Sequence, residues 1–310
     1  MIGPTARGIA AALAACLIGA AWHVATRLGA TTTLAPIDLA LLRFTIPAVI
    51  LAPIWLRTGL LPRQAGAGRT ALLVLGGGLP FGLTVIAGAQ WAPAAHMGAM
   101  LPGAMPLFVA LLAALVLRER YAPARLAGFA LIVAGIAALG SGAFAAAPPG
   151  AWRGDLLFLG AAFLWAVFTV AFRGSGLTPW QGAALVNAWS ALLAVPAWLL
   201  AWHLWGTGRI ATAPWQDIAL QVAMQGLVAG VCGLWTFAAA VALLGASRAA
   251  AYGALVPVMS ALGGWALLGE PIAFATGAAL AVTAGGVALA SGALRRRRDA
   301  AGSAPAQTVK

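Results

Sequence analysis

The sequence predicts an all-α integral membrane protein of ten transmembrane helices, folded as two inverted five-helix repeats. Three observations lead there: a composition suited to lipid, ten apolar runs of membrane-crossing length, and a motif that recurs half a chain later. Of 310 residues, 63% are hydrophobic and 8% charged, far below the roughly 25% charged content of soluble domains. Abundant Ala, Gly, Leu and Val, with 13 Trp against 2 Tyr, suit segments that dissolve in lipid and pack closely on one another. The net charge of +12 would suggest a nucleic-acid partner, but nearly all basic residues fall in short gaps between apolar runs. They read as topology signals, and no nucleic acid is expected. Cys16 and Cys232 both lie inside apolar runs, so neither a disulfide framework nor a CxxC site is available.

A bilayer crossing needs about 20 apolar residues. The first run, 8–28, opens after Arg7; the second, 36–56, starts at Pro36 and stops at Arg57. The third, 70–90, follows Arg69, and the fourth, 93–116, runs from Pro93 to the basic Arg118–Glu119–Arg120 joint. The fifth, 123–143, ends at Ala145–Arg153, where Pro148, Pro149 and Gly150 stop a helix and halve the chain. The second half gives 155–173, closed by Arg173, then 179–203 from Pro179, 217–244, 248–268 after Arg248, and 271–292 from Pro271. The joints at 90–93 and 268–271 are too short to be domain linkers and imply antiparallel hairpins. The expected domains are 8–143 and 155–292, followed by a basic, disordered cytoplasmic tail, 293–310.

With a cytoplasmic N-terminus, the inside set is Arg7, Arg57, Arg63, Arg69, Arg118, Arg120, Arg125, Arg173, Arg248, Arg295 to Arg298 and Lys310, against Arg27, Arg153 and Arg209 outside. This asymmetry places both termini of a multi-pass protein in the cytoplasm, and the expected location is the bacterial inner membrane. Arg7 and the run ending Leu13-Ala14-Ala15-Cys16 resemble a lipoprotein signal. The apolar run continues past Cys16, however, and removing it would break the repeat, so Cys16 is read as a small residue in a helix interface.

Superposing Leu117-Arg118-Glu119 on Leu268-Gly269-Glu270 brings Pro106 onto Pro257 and Gly135 onto Gly286 at one offset of 151 residues. The first helices of the halves align more loosely, Arg27 near Arg173. A five-crossing unit enters the membrane from opposite sides in its two copies, so the halves are inverted. Glu119 sits in a basic joint, whereas Glu270 sits in one stripped of basic residues, as opposite faces require. Inverted repeats are the architecture of alternating access around a midplane site.

Met105-Pro106-Leu107-Phe108 through Leu117-Arg118-Glu119-Arg120, with Gly128 and Gly135, resembles the end of an EamA-like domain. Val256-Pro257-Val258 through Leu267-Leu268-Gly269-Glu270-Pro271, with Gly285-Gly286, resembles a second. Leu41-Leu42-Arg43-Phe44 is similar to the arginine signature of the family's first repeat. The resemblance is to the drug/metabolite transporter superfamily. It implies a ten-helix exporter of amino acids, metabolites or drugs, with a central cavity lined mainly by helices one, three, four, six, eight and nine.

Polar groups and aromatic rings inside the spans are the cavity candidates. They are Trp22, His23 and Thr26 in the first span, Gln90 and Trp91 closing the third, and His96 and Met100 in the fourth. The second half adds Trp165, Gln225, Trp235 and Tyr252. Partners for Trp22 and Thr26 are expected in the fourth helix, around His96. Arg43 is a structural residue satisfying carbonyls or a binder of a substrate carboxylate. Pro102, Pro106 and Pro257 are the gating hinges, because a helical proline frees a backbone carbonyl. With no GxxxxGK[ST] loop, HExxH, Asp pair or Cys/His cluster, no catalytic residue, metal or cofactor is expected. The function expected is secondary-active or facilitative transport of a small organic substrate such as an amino acid or metabolite, most simply outward. A channel or non-transporting receptor, and less readily an intramembrane enzyme, are the alternatives. Membrane lipid is the other partner, proton or exchange coupling stays open, and the sequence is silent on oligomeric state.

Overall fold

The computed structural model describes residues 4–140 and 148–291. The expected tail 293–310, the end of the fifth predicted span and residues 145–147 of the predicted linker lie outside the described residues. The described residues form α1 (Pro4–Thr31), α2 (Pro36–Ile50), α3 (Ala52–Thr58), α4 (Gly66–Gly77), α5 (Leu79–Trp91), α6 (Ala94–Leu117) and α7 (Pro123–Gly140). The second half holds α8 (Ala151–Arg173), α9 (Pro179–Trp205), α10 (Trp215–Gln221), a π-helix (Val222–Cys232) continued by α11 (Gly233–Leu244), then α12 (Ala246–Tyr252), α13 (Val256–Leu268) and α14 (Phe274–Ala290).

Among the described residues, six stretches are long and apolar enough to cross a membrane, or up to seven if α2 and α3 count as one. Three shorter apolar helices cover Pro123–Leu139, Gly253–Leu268 and Phe274–Ala290. The 17 residues of α14 make a rod about 26 Å long, just under the hydrocarbon thickness. The predicted second span is not one straight rod: α2 and α3 meet at 73°. Pro47 cannot donate to the carbonyl of Arg43, and Pro53, the second residue of α3, cannot donate to that of Val49, so the ladder is interrupted on both sides of Leu51. The predicted eighth span is continuous from Trp215 to Leu244 but winds as a π-helix for 11 residues in its middle.

The packing has the reciprocity of a pseudo-two-fold axis, in which residue i touches the counterpart of j and j touches the counterpart of i. At the 151-residue offset Gly128 corresponds to Ala279, and Gly135 to Gly286. In the α7–α14 seam, a Cβ on Gly128 would stand 2.9 Å from the Gly286 carbonyl, and one on Gly135 would stand 2.9 Å from the Ala279 carbonyl. The backbones approach too closely for any side chain at these points. The same exchange pairs α1 with α13 and α6 with α8, while α2 packs on its own counterpart α9.

The joints keep their geometry as well. After α6, Arg118 takes a left-handed conformation at φ 54 and Glu119 N bonds Ala113 O at 3.3 Å; after α13, Gly269 does so at φ 67 and Glu270 N bonds Gly264 O at 3.1 Å. Glycine adopts this cap without steric cost, whereas a residue with a Cβ is strained by about 1 kcal/mol. Replacing Arg118 by Gly is therefore expected to raise the thermal midpoint slightly, a gain of about 0.5–1 kcal/mol, read by fluorescence-detected unfolding in detergent.

Candidate functional site

Polar side chains gather in one layer and at two ends. In the layer, the indole Nε1 of Trp22 donates to Gln225 Oε1 at 2.7 Å, and Gln225 Nε2 donates to Thr26 Oγ1 at 2.9 Å and reaches Gln221 Oε1 at 3.2 Å. Gln221 Nε2 donates in turn to the Ala25 carbonyl at 2.8 Å. Trp22 and Thr26, four apart on α1, thus share one face, and that face meets Gln221 and Gln225, four apart on the eighth span. The next α1 residue, His23, faces α13, its Nδ1 2.8 Å from Ser260 Oγ. Trp22 lies about 13 Å inside the Thr31 end of α1, and Gln225 about 15 Å inside the Trp215 end of its span, both close to the middle of a hydrocarbon slab.

Arg43 enters the same layer from α2. Its guanidinium lies 4.6 Å from the Trp22 ring centroid and 5.9 Å from that of Phe44, and Nη1 donates to the Gln225 carbonyl at 3.3 Å. Its Nε is buried without a hydrogen-bond partner. The cluster draws on the second helix, which the resemblance does not place among the main cavity walls. The π-helix and the glycines allow this: a Cβ on Gly226 would stand 2.6 Å from Ile46 Cβ, so α2 and the π-helix touch backbone to side chain.

The other candidates distribute differently. His96 does not face α1 as expected; its Nδ1 sits 2.9 Å from Asp155 Oδ1 on α8, with both residues buried. Two polar side chains just inside neighbouring helix starts at one depth were the available signal. Met100 is buried in the apolar core, and Trp165 packs against Phe81 and Phe168 at 5.3 and 5.0 Å between ring centroids. Gln90 is exposed and Trp91 is 42% exposed under Arg153, 4.6 Å from its guanidinium, because both sit in the last turn of α5. Trp235, 62% exposed, points away from the layer on the outer wall of the bundle. Tyr252 lies against the N-terminal half of α1, where Cys16 Sγ meets its carbonyl at 3.1 Å. Pro102 and Pro106 are inside α6, and Pro257 is in the first turn of α13, directly after the 3-10 turn Gly253–Leu255. A Cβ on Gly98 would lie 3.1 Å from Pro257 Cα, so these prolines flank the α6–α13 contact.

The two ends carry ion pairs related by the repeat. At the end holding the 31–36 turn, Arg27 Nε donates to Glu270 Oε1 at 2.9 Å, Glu270 Oε2 accepts from Ala94 N at 2.9 Å, and Arg27 Nη1 bonds the Ala89 carbonyl at 2.6 Å. Asp38, fully buried nearby, accepts from the Trp198 indole at 2.5 Å and from Arg209 N at 2.8 Å. At the opposite end Arg173 Nη1 bonds Glu119 Oε1 at 2.9 Å, and the Tyr121 hydroxyl lies 2.9 Å from Glu119 Oε2. Partial burial, then the bond to Glu119, holds the Tyr121 phenol above its usual pKa. The Arg27–Glu270 side chains are 15% exposed each; those of Arg173 and Glu119 are 45% and 39% exposed.

Gln225 is the hub of the central layer, and truncating it strands buried donors. Gln225→Ala is expected to cost about 2–3 kcal/mol, measured as a lower thermal midpoint, and to free the Trp22 indole, shifting its emission.

A solved protein crystal structure superposes on the chain with a TM-score of 0.61, covering 93% of this chain and 98% of its own at 22% identity, a likeness of fold. No curated protein matches the chain. The model of the EamA-like transporter family matches it twice, over residues 6–141 and 152–292. Two matches, each on one half of an apolar helical chain whose halves pack reciprocally, make it a multi-pass membrane protein, and it belongs to the EamA-like transporter family.

Proposed function

We propose that the chain is a secondary-active or facilitative carrier that moves a small organic substrate, an amino acid or related metabolite or drug, outward by alternating access. The observation that carries this is the pair of ion pairs at opposite ends. Each links the first helix of one repeat to the joint between the fourth and fifth helices of the other, Arg27 to Glu270 and Arg173 to Glu119. An inverted duplication supplies the same clasp at both mouths of one pathway; both are formed here, and a carrier must be able to release each in turn. Their unequal burial fits a state closed at the Arg27–Glu270 end. Between them lies the Trp22–Arg43–Gln225 layer, the proposed substrate site.

In this reading the helices make ten crossings, the two domains are 8–143 and 155–292, and both termini face the cytoplasm of a bacterium across its inner membrane. The Arg27–Glu270 end then faces outward. The test is counterflow. Proteoliposomes preloaded with unlabelled substrate should transiently accumulate labelled substrate, and tethering either clasp should stop this. The tethers are Arg27→Cys with Glu270→Cys, or Glu119→Cys with Arg173→Cys, joined by a short bifunctional thiol reagent in a background without Cys16 and Cys232. Flux without counterflow would identify a channel and overturn the proposal.

A further inference from the structure

We propose that Arg43 is the anchor for a carboxylate, so that the carrier proposed above selects small organic monoanions over neutral or cationic molecules of the same shape. The inference rests on that transport reading and on a charge account of the whole chain. Arg43 lies about 10 Å inside the Pro36 end of α2, deep in the hydrocarbon region. Its protein partners are one carbonyl at the long distance of 3.3 Å and the faces of Trp22 and Phe44, and its Nε has no partner. A guanidinium carries five N–H donors in a planar fork, a shape that matches a carboxylate with two parallel bonds.

Among the described residues, no acidic side chain neutralises it. The chain has six carboxylates. Asp38 caps α2 at Ala35 N and holds Trp198 and Arg209, Asp155 holds His96, and Asp217 accepts from Thr33. Glu119 and Glu270 are in the two clasps, and Asp299 lies outside the described residues. Arg43 is half-buried, but at this depth in the hydrocarbon region a charge without a counter-ion is unfavourable, and stacking on an indole offsets only part of that cost. An anion arriving from solution completes the site. A cation is repelled by it, while an amino-acid zwitterion can present its carboxylate to Arg43 and turn its ammonium to the amide and hydroxyl oxygens of the layer. Of the two readings open from the sequence, a structural arginine satisfying several carbonyls would show more than one such bond.

Benzoate, benzamide and benzamidinium share a ring and a planar head group while differing in charge, so they isolate this selection. Binding of each to the purified full-length protein in nanodiscs is read from tryptophan fluorescence, with hexanoate, hexanamide and hexylammonium as an aliphatic set. In at least one set the anion is expected to bind tenfold or more tighter than the amide, with the cation weakest. Arg43→Gln should bring anion and amide together, and Arg43→Lys should restore part of the difference. Equal binding within both sets, a preference for the cation, no binding in either set, or an unchanged anion preference in Arg43→Gln would overturn the proposal. If Arg43→Gln does not fold, the charge order of the wild type decides alone. Counterflow of a neutral or cationic substrate, undiminished in Arg43→Gln, would remove the anion proposal and leave the carrier standing. Anion selectivity without counterflow would do the reverse.

Discussion

Glu270→Gln should destabilise the protein by about 3 kcal/mol, because it leaves the Arg27 guanidinium charged, mostly buried and without its counter-ion. The Gln oxygen still accepts from Ala94 N, and Arg27 keeps the Ala89 carbonyl, so the chain should fold with a lower midpoint. The counterpart substitution Glu119→Gln breaks a pair that is 45% and 39% exposed, where water replaces the lost partner, and should cost under about 1 kcal/mol. The contrast extends to accessibility. Ala95, buried beside Glu270, can be replaced by Cys in a background lacking Cys16 and Cys232. Its modification by a charged thiol reagent should accelerate several-fold in Glu270→Gln and stay unchanged in Glu119→Gln. Equal midpoints for the two variants would mean that the Arg27–Glu270 clasp contributes no more than a surface ion pair.

The second large effect is expected at Gly286. A Cβ there would stand 2.7 Å from Ile132 N and 2.8 Å from the Gly128 carbonyl, so any side chain must push α7 and α14 apart. Gly286→Leu should therefore cost about 3 kcal/mol or more by overpacking. Its neighbour supplies the control, since a Cβ on Gly285 meets nothing within 4 Å. Gly285→Leu should change stability by no more than about 0.5 kcal/mol. Thermal unfolding of the two variants side by side separates the helix–helix contact from any general intolerance of leucine in α14.

Membrane residence, most helix limits and the duplication were legible because each follows from short-range chemistry. Apolar length marks a span; Pro36, Pro93, Pro123 and Pro179 mark starts; and the Pro–Glu–Gly spacing survives in both halves. Residue type alone would put Gly128, Gly135, Gly277, Gly285 and Gly286 all at close helix contacts; Gly128, Gly135 and Gly286 are there, but a Cβ on Gly277 or Gly285 meets nothing within 4 Å, because those two turn away from α7. Winding and partners were not legible. The π-helix and the 73° bend depend on what α2 and the eighth span press against, and an apolar run looks alike in either winding. Trp22 and Thr26 could be put on one face, but that the face meets Gln225 and not His96 is set by which helices adjoin. Asp155 does not stand out in the sequence, because a carboxylate at a helix start ordinarily needs no partner beyond the helix end.

The reciprocal α7–α14 seam bears on how the protein is made. Each half presents a glycine-surfaced face whose complement is the equivalent face of the other half in inverted orientation. Synthesis at about 5–20 residues per second leaves the first half in the membrane for roughly 8–30 s before α14 is complete. During that interval α7 carries a groove shaped for a copy of itself. A neighbouring nascent chain inserted the same way up offers that groove in the wrong sense, so the fixed orientation of the first half guards against premature pairing.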